Sequence, residues 1–164
     1  EALQLLLNAR TLNPNAKLVR DALGRLYYQM GEFEKVKAEV DYPNPTAQAL
    51  TLQGLLLYRD RNYSEAVSRF RQAMIEEGLQ PQASTLLNLG AALVQVRNYP
   101  EAENYLKQAL ELQDNSIAVL NNLGSLYTLT GRYLEADESF EKSLQIQADQ
   151  PPIRETLDRI RALG

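Results

Sequence analysis

The 164 residues are 45% hydrophobic and 23% charged, which describes a folded chain of about one domain rather than a disordered one. The net charge of −4 and a pI near 5.0 argue against a nucleic-acid surface, which needs clustered Lys and Arg. Cys and His are both absent, so disulfides, thiolate chemistry, His-based acid–base catalysis and His/Cys metal sites are excluded together.

The first segment, residues 1–12, is apolar but far shorter than the roughly 20 residues that cross a bilayer, and it lacks the basic head of a signal peptide. The start without Met points to a fragment or a mature chain. The segment reads as the second helix of a hairpin, with Ala2, Leu6 and Ala9 in register. If the natural chain starts earlier, the missing first helix lies upstream; otherwise Leu3, Leu5 or Leu7 should be partly bare, offering an oligomer contact. Helical periodicity continues at 17–30 and 33–40. The second of these is cut short by Pro43 and Pro45, which disfavour helix on their N-terminal side. That shortening either alters the superhelical twist locally or is a harmless deletion.

Further helices are predicted at 46–60, 63–77, 83–96, 99–112, 117–130 and 133–146. Asn62 and Asn98 are placed to cap helices, Pro100 suits a first turn, and Gly131 suits the left-handed residue that ends one. The tail from Pro151 carries a narrow apolar stripe of Ile153, Leu157 and Ile160 among mixed charges, as a capping helix would.

These helices repeat. Asn88-Leu89-Gly90 returns as Asn122-Leu123-Gly124, and Tyr99, Glu101, Ala102, Leu106, Ala109 and Leu110 return as Tyr133, Glu135, Ala136, Phe140, Ser143 and Leu144. Gly54, Tyr63, Glu65, Ala66, Phe70 and Ala73 form an earlier copy, and Leu23-Gly24, Tyr27 and Phe33 an earlier one still. The glycines 24, 54, 90 and 124 stand 30, 36 and 34 residues apart. A glycine without Cβ lets the second helix of a hairpin approach the first. Stacked hairpins then cover the faces that a lone hairpin leaves bare.

The pattern resembles the tetratricopeptide repeat over nearly the whole chain, most strongly from Ala83 to Asp149. The family's Trp is replaced by Arg20, Leu50, Leu86 and Leu120. The resemblance implies an all-α, right-handed superhelical solenoid of antiparallel helix pairs. It forms a single domain, with a half repeat at 1–16, a degenerate repeat at 17–45, repeats at 46–82, 83–116 and 117–150, and a capping helix at 151–164.

The resemblance also implies where a partner binds. First helices line the concave wall, where Asp21, Arg25 and Tyr28, then Thr51, Leu55 and Tyr58, then Asn88, Ala91 and Gln95, then Asn122, Ser125 and Leu129 are expected. Arg25, Tyr28, Leu55, Tyr58, Asn88, Ala91, Asn122 and Ser125 are the candidate peptide-binding residues. Asn88 and Asn122 resemble the asparagine ladder that holds a peptide backbone in some members. The Lys/Asn/Arg clamp of chaperone-binding members is missing, since Asp21 and Arg25 stand where its first Lys and Asn would be.

No catalytic residue, cofactor or metal site is expected. The carboxylates Glu135, Asp137, Glu138 and Glu141 read as a solvated helix face, and Tyr27, Tyr99, Tyr127 and Tyr133 as packing residues. The expected role is an interaction scaffold for a protein or peptide, without nucleic acid, small-molecule substrate or membrane insertion. The alternative is an assembly component of the kind found among pilus-biogenesis tetratricopeptide lipoproteins, acting through its ends or convex face. Either the cytoplasm or the periplasm would suit such a soluble chain.

Overall fold

The computed structural model describes residues 1–162. They form ten α-helices: α1 Ala2–Leu12, α2 Lys17–Gln29, α3 Phe33–Val40, α4 Ala47–Arg59, α5 Tyr63–Glu77, α6 Ala83–Gln95, α7 Tyr99–Leu112, α8 Ile117–Leu129, α9 Tyr133–Ile146 and α10 Pro151–Arg161. No strand occurs among the described residues. The chain divides into two compact units, residues 1–81 and 82–164.

In the first unit α2 pairs with α3 and α4 with α5, while α1 packs on α2, α3 on α4 and α2 on α4. Leu23, Tyr27, Val36, Val40, Ala49, Leu52 and Leu56 form a core, flanked by the half-buried Leu3, Leu6 and Leu7. In the second unit α6 pairs with α7 and α8 with α9; α7 and α6 pack on α8, and α10 on α9. Leu86, Leu89, Leu93, Leu106, Val119, Leu126 and Phe140 are at most 1% exposed.

The repeated glycine does what its spacing suggests. A Cβ built on Gly124 would stand 2.5 Å from Phe140 Cε1, one on Gly54 2.5 Å from Phe70 Cε1, and one on Gly90 2.7 Å from Leu106 Cγ. Each glycine therefore receives the large residue of the helix that follows it. Ala102 and Ala136, fully buried, leave the matching room on that helix.

Each hairpin turn has one design. The N–H of Glu32, Asn62, Asn98 and Arg132 donates to the carbonyl of Tyr27, Leu57, Leu93 and Tyr127, at 2.8–3.0 Å. The residue before each has positive φ: Gly31 at 76°, Arg61 at 61°, Arg97 at 62° and Gly131 at 74°. This is the 6→1 closure of a Schellman motif, and it bears out the left-handed role expected of Gly131. It also corrects the caps expected at Asn62 and Asn98, whose side chains make no capping bond. Their backbone N–H is spent on the preceding helix, and the Asn98 amide donates instead to Glu101 Oε2 at 2.6 Å. Arg97 adopts a backbone that disfavours a side chain by about 1 kcal/mol. Arg97→Gly is expected to raise the unfolding free energy measured in urea by up to about 1 kcal/mol, less the chain entropy that glycine adds to the unfolded state.

The short α3 is closed off by a polar plug. Arg20, at a position where the family carries Trp, donates to the carbonyls of Ala38, Glu39 and Asp41 at 2.7–3.1 Å, capping the end of α3. Its guanidinium also lies 4.8 Å from the centre of the Tyr42 ring. The Tyr42 hydroxyl donates to Asp21 Oδ1 at 2.5 Å, and Thr46 Oγ1 to Asp21 Oδ2 at 2.6 Å. Thr46 in turn caps α4 by accepting from the Ala49 N–H at 3.1 Å. Burial, then the bond to Asp21, raises the pKa of Tyr42. Asp21, expected on the inner wall, is 5% exposed and belongs to this plug.

The capping helix forms as expected, with Leu157 and Ile160 buried; residues 163 and 164 of its expected span lie outside the described residues. Arg161 ties it to α9 through Asp137 and Glu141, both at 2.5 Å. Tyr133, expected to pack, is instead 40% exposed at the start of α9, where it forms the helix's first residue.

Candidate functional site

Two helix faces carry the candidate residues, one in each unit. In the first unit α2 supplies Arg25 and Tyr28 and the adjacent α4 supplies Leu55 and Tyr58. Arg25 is exposed, and the other three are half-buried. Their surroundings repeat: Tyr28 meets Phe33 edge-on at 5.7 Å, and one hairpin later Tyr58 meets Tyr63 edge-on at 5.2 Å. Arg59 joins the two hairpins, its guanidinium 3.9 Å from the centre of the Phe33 ring. Sequence reasoning placed Tyr28 and Tyr58 on this face with Arg59 at its edge, and knew Phe33 only as a repeat position; the shared 30-residue spacing of both aromatic pairs was the signal that Phe33 supports Tyr28.

In the second unit α6 supplies Asn88 and Ala91, and the adjacent α8 supplies Asn122 and Ser125. All four reach solvent, Ser125 fully and the rest in part. The two asparagines differ. Asn122 Nδ2 donates to the Ala118 carbonyl at 2.8 Å, one turn back on its own helix, so one of its two N–H groups is spent and the other, with the carbonyl oxygen, is left for a ligand. Asn88 makes no side-chain hydrogen bond among the described residues, and keeps both functions. Ser125 donates to the Asn121 carbonyl at 2.8 Å. Asn121, beside them, turns inward and donates to Gln150 Oε1 at 2.8 Å.

Neither α6 nor α8 contains a charged residue. The charges of the second unit stand on its other helices and connections. Among them, Asp137 and Glu141 are taken up by Arg161 and Glu135 by Arg132, and no carboxylate group suited to a metal ion exists among the described residues.

A charged clamp behind this face holds α8 on α7. Glu103 of α7 accepts from Arg132 Nη1 at 2.6 Å and Nη2 at 3.2 Å, from Lys107 at 2.7 Å and from the Tyr127 hydroxyl at 3.1 Å. Arg132 also stacks 4.3 Å from the Tyr127 ring centre. Its guanidinium, chiefly, pulls the pKa of Glu103 from an ordinary 4.5 to about 2. The folded pKa lies below the unfolded one, so the clamp's contribution is complete above pH 4.5 and fades as pH falls toward 2. Glu103→Gln is expected to cost about 1 kcal/mol at pH 7, since Lys107 and Arg132 are themselves partly exposed. In thermal melts the gap from the parent should close between pH 4.5 and 2.

Family models of the tetratricopeptide repeat match residues 82–113 and 117–150, the two hairpins of the second unit. The matched residues are tetratricopeptide repeats. The repeat architecture extends through the first unit as well, as solved structures show. The type IV pilus biogenesis factor PilW matches with a TM-score of 0.82 at 19% identity, over 96% of this chain and 76% of that one. YrrB, described as a TPR protein with an unusual peptide-binding site, matches at 0.76 and 20% identity, over 96% and 82%. A chain of the APC/C hetero-tetramer Cut9–Hcn1 matches at 0.82 and 21% identity over 88% of this chain, which spans only 30% of that chain's length. At such identities the likeness establishes the fold. No curated protein matches the sequence. Among the described residues of this repeat protein, no helix is long and apolar enough to cross a membrane.

Proposed function

We propose that this repeat protein is a non-catalytic interaction scaffold that binds a protein or peptide segment on the faces of its first helices. Arg25, Tyr28, Leu55 and Tyr58 take the segment in the first unit; Asn88, Ala91, Asn122 and Ser125 take it in the second. The observation that carries this reading is the character of those faces. Adjacent helices leave aromatic, aliphatic and amide side chains at the surface, and α6 and α8 carry no charge at all. Such walls suit uncharged side chains, which lose little on leaving water, and a peptide backbone whose amides the asparagines can hydrogen-bond. The fold's general use in protein interaction and the peptide-binding site of YrrB support the same reading.

Replacing Asn88 and Asn122 together by Ala should weaken a partner isolated by pull-down about tenfold, most of it from Asn88, whose amide is free. Unchanged affinity in calorimetry would remove the asparagines from the site. A second reading, an assembly component acting through an end, has its own support in α1, where Leu5 is 63% and Leu12 88% exposed.

A further inference from the structure

Two tyrosines set the first unit apart from the second. Counted from the glycine of each hairpin, Tyr28 and Tyr58 occupy one register position, where the second unit has Val94 and Thr128. Both rings are half-buried. Each is braced by another ring, Tyr28 by Phe33 at 5.7 Å and Tyr58 by Tyr63 at 5.2 Å, and the Arg59 guanidinium stacks 3.9 Å from the Phe33 ring centre. The rings are therefore held before any ligand arrives, which removes part of the ordering cost of binding. Their opening does not arise from where the sequence begins. Tyr58 follows a complete hairpin, with α2 and α3 both packed on α4, and it is half-buried just as Tyr28 is.

The polar groups beside the rings are one-sided. Helices α2 and α4 contain one carboxylate, Asp21, and both its oxygens are taken by Tyr42 and Thr46. Thr51 donates its hydroxyl to the Ala47 carbonyl at 2.9 Å. Of the cations on these helices, Lys17 donates to the Asn44 carbonyl, Arg20 to the end of α3, and Arg59 is paired with Asp60. Arg25 and the Tyr28 hydroxyl make no hydrogen bond among the described residues. The face thus offers aromatic rings and hydrogen-bond donors, with no free carboxylate. An ordinary extended segment brings an N–H at every residue, and those groups would meet no strong acceptor here. A run of prolines brings none, only carbonyl acceptors.

The spacing agrees. Packed helices such as α2 and α4 stand about 8–10 Å apart, and so do residues that share a register position on them. A polyproline II helix turns once in three residues and rises about 3.1 Å per residue, so equivalent side chains recur every ~9 Å.

We propose that the site of the first unit takes a proline-rich segment in the polyproline II conformation, an inference that rests on the scaffold reading above and names its ligand class. Prolines three residues apart lie on Tyr28 and Tyr58, and carbonyls between them accept from Arg25 and the Tyr28 hydroxyl. The segment arrives already extended, so little conformational freedom is lost on binding.

The probe is fluorescein-labelled deca-L-proline, titrated into the full chain by fluorescence anisotropy, with deca-D-proline, the mirror-image helix, as control. The L-peptide is expected to bind with a dissociation constant of about 10–500 μM, and the D-peptide at least roughly fivefold more weakly. Tyr28→Leu and Tyr58→Leu, which keep an apolar side chain but remove the ring, should each weaken binding about fivefold, and Arg25→Gln about threefold. Asn88→Ala, in the other unit, should leave it unchanged. The mirror-image comparison uses the parent chain, so it stands whether or not a leucine variant keeps its fold. No binding below about 2 mM, equal binding of the two mirror images, or binding indifferent to both leucine variants overturns the proposal. A library-selected peptide without proline that Tyr28→Leu and Tyr58→Leu release would leave the scaffold reading in place and remove this one. A chain that selects no peptide from such a library would remove both.

Discussion

Asp21→Ala is expected to destabilise the first unit by about 3 kcal/mol, the largest effect of any polar substitution in the chain. Asp21 is 5% exposed, and its two oxygens each accept a short hydroxyl bond, from Tyr42 and from Thr46. A hydrogen bond to a charged group contributes roughly 1.5–3 kcal/mol, and two that share one carboxylate add less than twice that. Removing the carboxylate leaves the two hydroxyls, 3.2 Å apart, only each other to bond, so at least one loses its acceptor and the connection between α3 and α4 loosens. Tyr42→Phe keeps the Thr46 bond and should cost about half as much. Asp41→Ala, one residue away and exposed, should shift the urea midpoint hardly at all. Equal effects at Asp41 and Asp21 would mean that the plug does not hold the loop.

Gly124→Ala comes next, with an expected net cost of up to about 2 kcal/mol to the second unit. Alanine favours a helix over glycine by about 1 kcal/mol. Against that stands the new Cβ, 2.5–2.7 Å from three ring atoms of Phe140, a side chain 1% exposed and unable to swing away. Overpacking of this kind costs about 1–3 kcal/mol, occasionally more, and here it exceeds the helical gain. Gly24→Ala is the internal comparison. Its Cβ would meet Leu52 and Val40 at 3.1 Å, a few tenths of an ångström too close, so the two contributions nearly cancel. Calorimetric melts that show Gly124→Ala as harmless as Gly24→Ala would contradict the close approach on which the helix pairing depends.

The hairpins could be read from sequence because their determinants are local and periodic. Apolar spacing fixed the helices, and five of the six later ones begin where expected, with α4 one residue late and the ends of first helices one residue early. Gly90 and Gly124 announced the close approach because a repeated glycine inside a helix has few other uses. What escaped notice depends on residues far apart. Asp21 meets Tyr42 and Thr46 across 21 and 25 residues, and Pro43 and Pro45 marked that loop only as a helix breaker. Glu103 meets Arg132 across 29 residues, and neither belongs to an apolar pattern. Arg61 and Arg97 hid two left-handed turns, because sequence reasoning looks for glycine there. The candidate faces were legible as positions, since helical spacing assigns them. The inward turn of Asn121 and the partly occupied amide of Asn122 were not, because both depend on hydrogen-bond partners that spacing does not reveal.

The division of labour between helices can be tested directly by hydrogen–deuterium exchange with a bound peptide. The probe is the tightest ligand selected from a phage-displayed library of random dodecapeptides, compared at saturation with the free chain. First helices are expected to slow on binding, above all around Tyr28 and Tyr58 in α2 and α4 and around Asn88 and Asn122 in α6 and α8. Protection confined to α3, α5, α7 and α9 would place the binding surface on the opposite helices and contradict the account.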